Sequence, residues 1–173
     1  MTNEQYLKNL EAPTGKIDVV LDTDAYNEID DQFAVAYMLK YKNKLNVKKI
    51  YAAPFVQLPC CGVVSEFSTS APELRYWLSG KNPLADYLCE NTVREAERYK
   101  AGMAWTRVIW DVTAVAWLLN DNDRFMRSEV TDTFLPGYDF KYEAKHLEKK
   151  MRYVTSVNRD KLMSDLFFKL TDK

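Results

Sequence analysis

Residues 17–39, IDVVLDTDAYNEIDDQFAVAYML, decide the fold of this chain. The segment begins with an apolar run rich in β-branched residues, Ile17–Leu21, which predicts a short buried strand. Apolar residues then recur at every fourth position, which predicts a helix over residues 30–42. These positions are Ile29, Phe33, Tyr37 and Tyr41. A second apolar segment, 47–53, predicts a strand that pairs in parallel with the first through a right-handed crossover.

Acidic residues are concentrated between the first strand and the helix. They are Asp22, Asp24, Glu28, Asp30 and Asp31. The carboxyl end of a parallel strand and the first turn of the next helix lie close together, and a helix N-terminus favours negative charge. No Lys or Arg lies between Lys16 and Lys40, so a bound cation is the simplest compensation for converging carboxylates. An all-carboxylate shell selects Ca²⁺ or Mg²⁺ over Zn²⁺.

Besides a metal site, this acidic segment has three other interpretations. A solvated acidic loop is the commonest, but here both flanks are apolar. An EF-hand loop starting at Asp22 needs Gly at the sixth position and Glu at the twelfth, where this chain has Asn27 and Phe33, so we reject it. The segment also resembles haloacid dehalogenase-like phosphatases, in which Asp22 would be the nucleophile. That alternative stays open, although Ala25 and Tyr26 replace the small pair usual there.

The closer resemblance is to the nucleoside hydrolase family of calcium-binding ribonucleoside N-ribohydrolases. VVLDTDAYNEIDDQFAVAYML (19–39) resembles the family's N-terminal signature, a strand, Asp-x-Asp, a loop and Asp-Asp opening a helix. TRVIWDVTAVAWLL (106–119) resembles its C-terminal motif, in which an Asp completes the calcium shell. The resemblance implies Ca²⁺-dependent hydrolysis of the N-glycosidic bond of ribonucleosides, giving ribose and free base.

The resemblance also implies a role for individual aspartates. Asp24, Asp31 and Asp111 would be the calcium ligands, and Asp24 would also be the general base for the attacking water. Asp30 would hold the ribose hydroxyls. Asp22 would lie just outside the ligand shell and support the residues that form it. From their positions beside this cluster, we expect further substrate contacts from Tyr26, Asn27, Glu28 and Trp110.

Several of these residues could instead have purely structural roles. Asp111 stands directly before a predicted helix and is well suited to be its N-cap. Asp30 and Asp31 are in the first helical turn, where acidic residues also serve only to compensate the helix dipole. Trp117 has helical spacing and is expected in the core.

Two departures from the family put catalysis in question. Purine-using relatives often place a His directly before the third Asp, where this chain has Trp110, and an indole cannot supply a proton to the leaving base; the single His146 is a poor substitute. The chain is also roughly half the usual family length, with a suspected join near Phe55–Val56. The alternative is therefore a catalytically inactive, shortened homologue that acts as a metal-binding or oligomerising domain, and we expect a homo-oligomer.

The rest of the chain predicts a single α/β domain over residues 16–173, preceded by a polar leader, 1–15. The fold class expected is a small, mostly parallel sheet flanked by helices, a reduced nucleoside hydrolase-like (Rossmann-like) fold. A strand-like run at 56–64 either forms a tight antiparallel turn around Pro54 and Pro59 or follows missing sequence. The remaining elements expected are helices 71–79, 83–100, 112–120 and 159–170, strands 106–110 and 151–157, and a loop with a helical piece over 121–150.

Composition limits the possible partners. The chain has 173 residues, of which 47% are hydrophobic and 13% aromatic, and its formal net charge is −1. That charge gives no electrostatic case for nucleic acid or membrane binding. The N-terminal residues lack a secretory signal, and the odd number of cysteines argues against a disulfide framework. We therefore expect a cytoplasmic protein in which Cys60, Cys61 and Cys89 are reduced and mostly buried.

Overall fold

The computed structural model of the chain describes residues 2–19, 29–47, 56–132 and 150–171. Helices and small sheets alternate along these residues, so the expected α/β class is confirmed. The helices are α1 (Asn3–Lys8), α2 (Ile29–Lys40), α3 (Ala71–Leu78), α4 (Pro83–Lys100), α5 (Val112–Leu118) and α6 (Arg159–Leu170). The strands are β1 (Ile17–Val19), β2 (Leu45–Val47), β3 (Val56–Gln57), β4 (Ser68–Thr69), β5 (Arg107–Val108), β6 (Met126–Asp132) and β7 (Lys150–Val157).

The β1–α2–β2 unit has the predicted order and parallel pairing, but β2 (Leu45–Val47) begins two residues before the predicted strand 47–53, of which 48–53 lie outside the described residues. β1 pairs in parallel with β2, with Ile17 opposite Leu45 and Val19 opposite Val47. α2 begins one residue before the predicted start and ends at Lys40, and the chain then turns directly into β2. This unit brings the first turn of α2 to the carboxyl-end side of the two strands, where α/β proteins place their ligand sites.

The expectation of a mostly parallel sheet is wrong. β3 pairs with β7 in parallel, but β4 pairs with β5 and β6 pairs with β7 in antiparallel fashion. The longest ladder is the β6–β7 pair, which runs from Met126–Val157 to Asp132–Lys150. β6 lies where a loop with a helical piece was predicted, because its sequence, MRSEVTD, has few of the apolar residues that mark a strand.

The strand predicted over residues 56–64 is also mostly wrong. Only Val56 and Gln57 are in β3, and a turn and a short 3₁₀ helix, Val64–Glu66, follow. Pro59 has no N–H for a ladder, and its carbonyl instead accepts the amide of Val64 at 3.0 Å. β3 pairs with β7 rather than folding back on β2, while Pro54, Phe55 and the suspected join at Phe55–Val56 lie outside the described residues.

An Asn side chain caps the N-terminus of α4 and of α6. Asn82 accepts the amide of Ala85 at 2.9 Å and Asn158 accepts that of Lys161 at 3.1 Å, so α4 and α6 begin as predicted. Ser70 and Glu73 have the spacing that predicts a capping box at the start of α3, but the Ser70 side chain makes no capping hydrogen bond, so that prediction is wrong. Glu73 instead accepts a hydrogen bond from Thr69 Oγ1 at 2.8 Å and pairs with Arg159 of α6, which ties α3 to α6.

The core is centred on α2, which packs against α4, α5 and α6. The four residues of its predicted apolar face are all buried, and Phe33 and Tyr37 have no exposed surface. The apolar residues Leu162, Leu166 and Phe167 of α6 are likewise buried, as is Trp117 of α5, which was expected in the core. Helical spacing along α4 also suits packing at Leu84, Tyr87 and Tyr99, but these three residues are exposed although their neighbours pack inward.

The cysteines depart from expectation in their burial. Cys60 and Cys61 are exposed in the turn after β3, and Cys89 alone is buried in α4. All three are free thiols. Within the described ranges, none of the helices has both the length and the apolar character needed to cross a membrane.

Candidate metal-binding site

Three aspartates from two distant parts of the chain meet at one point. Asp30 and Asp31 occupy the first turn of α2, and Asp111 directly precedes α5. One carboxylate oxygen from each of them lies within 4.8 Å of the other two. Asp30 is 3% and Asp31 is 6% exposed, and Asp111 is half-buried. The convergence of Asp31 with Asp111 was predicted by resemblance, and Asp30 joins them in the same cluster.

The packing of two helices produces this convergence. α2 and α5 contact each other directly, and each carries its aspartates at its N-terminal end. Phe33 and Tyr37 anchor α2 in the core one and two turns behind Asp30, so the first turn is fixed by buried side chains. The unsatisfied backbone N–H groups of a helix N-terminus favour negative charge there.

Asp111 occupies the N-cap position of α5, but its side chain does not act as a cap. Its backbone is already helical (φ −73°, ψ −23°), and its side chain makes no capping hydrogen bond to α5. The first turn of α5 is instead closed by Thr113, whose amide and hydroxyl both donate to the carbonyl of Trp110, at 3.1 Å and 2.7 Å. The Asp111 carboxylate is therefore directed to the cluster rather than to its own helix.

An arginine that local sequence did not indicate belongs to the site. Arg107 Nη2 lies 3.3 Å from Asp30 Oδ1, and the two residues are 77 positions apart in the chain. The expectation that no basic residue lies near the acidic segment considered sequence neighbours alone. One signal was present, because alternation along an extended segment places Arg107 on the same side as Asp111, four positions later.

The other predicted site residues have different outcomes. Trp110 is half-buried next to Asp111, and its position does not test the predicted stacking on a base. Five predicted residues lie outside the described residues, as does His146, and their roles stay predictions. They are Asp22, Asp24, Tyr26, Asn27 and Glu28.

The spacing and chemistry of the cluster fit a hard divalent cation. Ca²⁺ binds oxygen ligands at about 2.4 Å, so two oxygens on one ion are at most about 4.8 Å apart. The three carboxylate oxygens satisfy that limit. The group contains no His or Cys, the ligands that Zn²⁺ prefers. This distance limit does not separate Ca²⁺ from Mg²⁺, which needs a smaller shell.

A cavity of about 420 Å³ adjoins the cluster on the side of Arg107. It lies between α4 and β5, and the first residue of α2, Ile29, also lines it. Its other lining side chains include Thr92, Glu95, Tyr99, Thr106 and Arg107. The mixture of hydroxyl, charged and aromatic groups suits a polar organic molecule better than a purely apolar one.

Comparisons with known proteins add no relative, because no protein-family model, curated protein or solved structure matches the chain.

Proposed function

We propose that Asp31 and Asp111, together with Asp24, hold a calcium ion next to Asp30 and that the chain hydrolyses the N-glycosidic bond of ribonucleosides. The observation that carries this proposal is the convergence of three carboxylate oxygens, from segments about eighty positions apart, within 4.8 Å. Two of these carboxylates are buried, and a buried carboxylate needs compensation from its surroundings. Arg107 offsets part of the negative charge of the cluster through its pair with Asp30, and a bound cation would offset more of it. The link to nucleosides comes from the two sequence motifs that carry these aspartates.

The chain's own side chains have separate tasks in this proposal. Asp31 and Asp111 hold the ion together with Asp24, and a bound Ca²⁺ would orient a water and lower its pKa. Asp24 accepts the proton of that water. Asp30 accepts hydrogen bonds from the ribose hydroxyls, which fixes the sugar next to the water. The carboxylates also stabilise the positive charge that develops on the sugar as the bond to the base breaks.

The base would occupy space next to the cluster. Trp110 offers a flat apolar face for stacking, and the cavity beside Arg107 offers room and polar partners. The indole of Trp110, directly before Asp111, cannot donate a proton to a leaving base at neutral pH. We therefore expect hydrolysis to favour nucleosides whose bases leave without a proton donor at this position.

A second candidate function is a metal-binding domain that self-associates without catalysis. An exposed apolar patch on α2 and α4 favours it, where Leu39, Leu84 and Tyr87 surround a cavity of about 540 Å³. Contiguous exposed apolar surface is uncommon on monomers and often marks an interface. This candidate shares the metal site with the first and differs in predicting no release of ribose.

The test combines metal binding with product formation. Wild-type protein and Asp111→Asn are melted in Ca²⁺ and in chelator, and ribose release is measured from a panel of ribonucleosides. Asp160→Asn is the matched control, because this aspartate lies on α6 with a side chain 88% exposed. We expect Ca²⁺ to raise the Tm of the wild type and the control but not of Asp111→Asn, since a ligand stabilises the state that binds it.

The two candidates separate in the ribose assay. Calcium-dependent ribose release that Asp111→Asn abolishes supports the hydrolase. A calcium-dependent Tm without ribose release supports the non-catalytic domain. An unchanged Tm in the wild type would overturn the metal site and with it both candidates.

A further inference from the structure

Arg107 contacts both Asp30 of the cluster and the cavity beside it. Its guanidinium pairs with Asp30, and the same side chain lines the cavity. The Arg107 side chain is 37% exposed, whereas that of Asp30 is 5% exposed. The Arg107 side chain, which contacts solvent and the cavity, thus also contacts the buried carboxylate of Asp30.

Because of this ion pair, Asp30 has a positive charge next to its carboxylate, which is unfavourable for a residue that binds a metal ion directly. An arginine side chain keeps its positive charge at all physiological pH values. A divalent cation bound directly to Asp30 would face that charge across a few ångströms, and like charges at such a distance repel. A hydroxyl group bound to Asp30 meets no such repulsion, because it is neutral. The pair therefore favours a hydrogen-bonding role for Asp30 over metal coordination.

We infer that Arg107 is a positioning residue that keeps Asp30 out of the metal shell, so that Asp30 serves the ribose hydroxyls while Asp31 and Asp111 hold the ion. This inference rests on the proposed function. It gives a physical reason why three carboxylates within 4.8 Å perform two tasks. It also assigns a part in the site to Arg107, which lies four positions before Asp111 in the C-terminal motif.

The experiment measures Ca²⁺ affinity by calorimetry for the full chain and for Arg107→Gln, with the metal alone as probe. Arg75→Gln is the matched control, because Arg75 pairs with Glu97 at a similar 3.4 Å on an exposed surface of α3 and α4. We expect Arg107→Gln to bind Ca²⁺ about threefold to tenfold more tightly, because the released Asp30 carboxylate can then enter the metal shell; a tenfold change corresponds to about 1.4 kcal/mol. Arg75→Gln should bind as the wild type does.

Two further variants separate positioning from general charge. In an Asp30→Asn background, Arg107→Gln should lose most of its gain in Ca²⁺ affinity, because no carboxylate is left to enter the shell. Arg107→Lys should keep the wild-type affinity within about twofold, since it retains the charge. Binding of D-ribose relative to 2-deoxy-D-ribose, measured in Ca²⁺, should show a preference for ribose that Arg107→Gln reduces and Arg107→Lys retains.

The outcomes distinguish this inference from the function on which it rests. If the wild type binds Ca²⁺ and Arg107→Gln binds equally or less tightly, Arg107 does not exclude Asp30 and the inference is overturned. If the wild type binds no Ca²⁺ but Arg107→Gln does, the exclusion is supported and the calcium site of the native chain is overturned. If neither binds, both fail. Arg107→Lys guards against a folding defect, because its loss of binding together with that of Arg107→Gln would assign Arg107 a structural role.

Discussion

Removing the charge of Asp31 should stabilise the metal-free protein, although the residue is buried. Asp31→Asn keeps the size and planar shape of the side chain and removes one negative charge. Asp31 lies within 4.8 Å of both Asp30 and Asp111, measured between carboxylate oxygens. Without a cation, the folded chain holds these groups together against their repulsion. In the unfolded chain they separate, so the repulsion lowers the free energy of unfolding.

The magnitude follows from the distances. Two unit charges 4.8 Å apart repel by about 3.5 kcal/mol at an effective dielectric constant of about 20. Arg107 and dissolved salt reduce this repulsion, and Asp31 also loses its favourable interaction with the α2 N-terminus, worth about 0.3–1 kcal/mol. We expect a net gain of about 1–2 kcal/mol in the free energy of unfolding, which corresponds to a Tm increase of about 2–8 °C for a chain of this size.

The assay is thermal unfolding in chelator and in Ca²⁺ at pH 7. In chelator, Asp31→Asn should melt above the wild type, whereas Asp160→Asn should melt close to it. In Ca²⁺ at about a hundred times its dissociation constant, the wild type gains about 2.7 kcal/mol and the order reverses. A lower Tm for Asp31→Asn in chelator would refute the reasoning, because it would show that the charge has a structural partner worth more than the repulsion.

Two further predictions concern the core behind the site. Burial, with a hydrogen bond to Asp165, raises the pKa of Tyr41 from 10.0 to about 12 and raises that of Tyr37 as well. The neutral phenols are favoured in the folded state, so this stability is complete below pH 10 and is lost as the pH rises through about 12; urea unfolding at several pH values should show the decrease, and Tyr41→Phe should reduce it. Phe33→Ala should lower the free energy of unfolding by about 3–5 kcal/mol, since Phe33 is fully buried under the first turn of α2, and it should weaken Ca²⁺ binding although Phe33 touches no ion. An unchanged Ca²⁺ affinity in folded Phe33→Ala would contradict the anchoring role of α2.

Elements with strong local patterns could be predicted from the sequence. α2 has its apolar residues at helical spacing, and α4 and α6 have an Asn at the N-cap, so their positions follow from local physics. β6 could not be found in this way, because a strand whose side chains are mostly exposed and polar gains its stability from the ladder with β7. The direction of pairing between strands likewise depends on contacts across the fold.

The candidate site likewise contains residues that local sequence predicts and one that it does not. Asp30 and Asp31 were identified from their place in the first turn of α2, and Asp111 from its motif. Each of the three aspartates could therefore be recognised from the residues next to it in the sequence. Arg107 was missed, because its partner is 77 positions away and the pair exists only after α2 and β5 are brought together. The exposure of Leu84 and Tyr87 was missed for a related reason: helical spacing identifies an apolar face but not whether anything covers it.

The dependence of the cluster on α2 and α5 bears on whether a shortened chain retains a working site. The carboxylates of Asp31 and Asp111 are brought together by direct packing of these two helices. Phe33 and Tyr37 hold α2 from the core side, so contacts among the described residues account for the convergence. If sequence near residues 55–56 is missing, as the resemblance to nucleoside hydrolases predicts, the proposed substrate contacts should therefore be affected more than the carboxylate cluster. On the proposed function, calcium affinity and catalysis should then be separable, and calcium affinity is the property expected to remain.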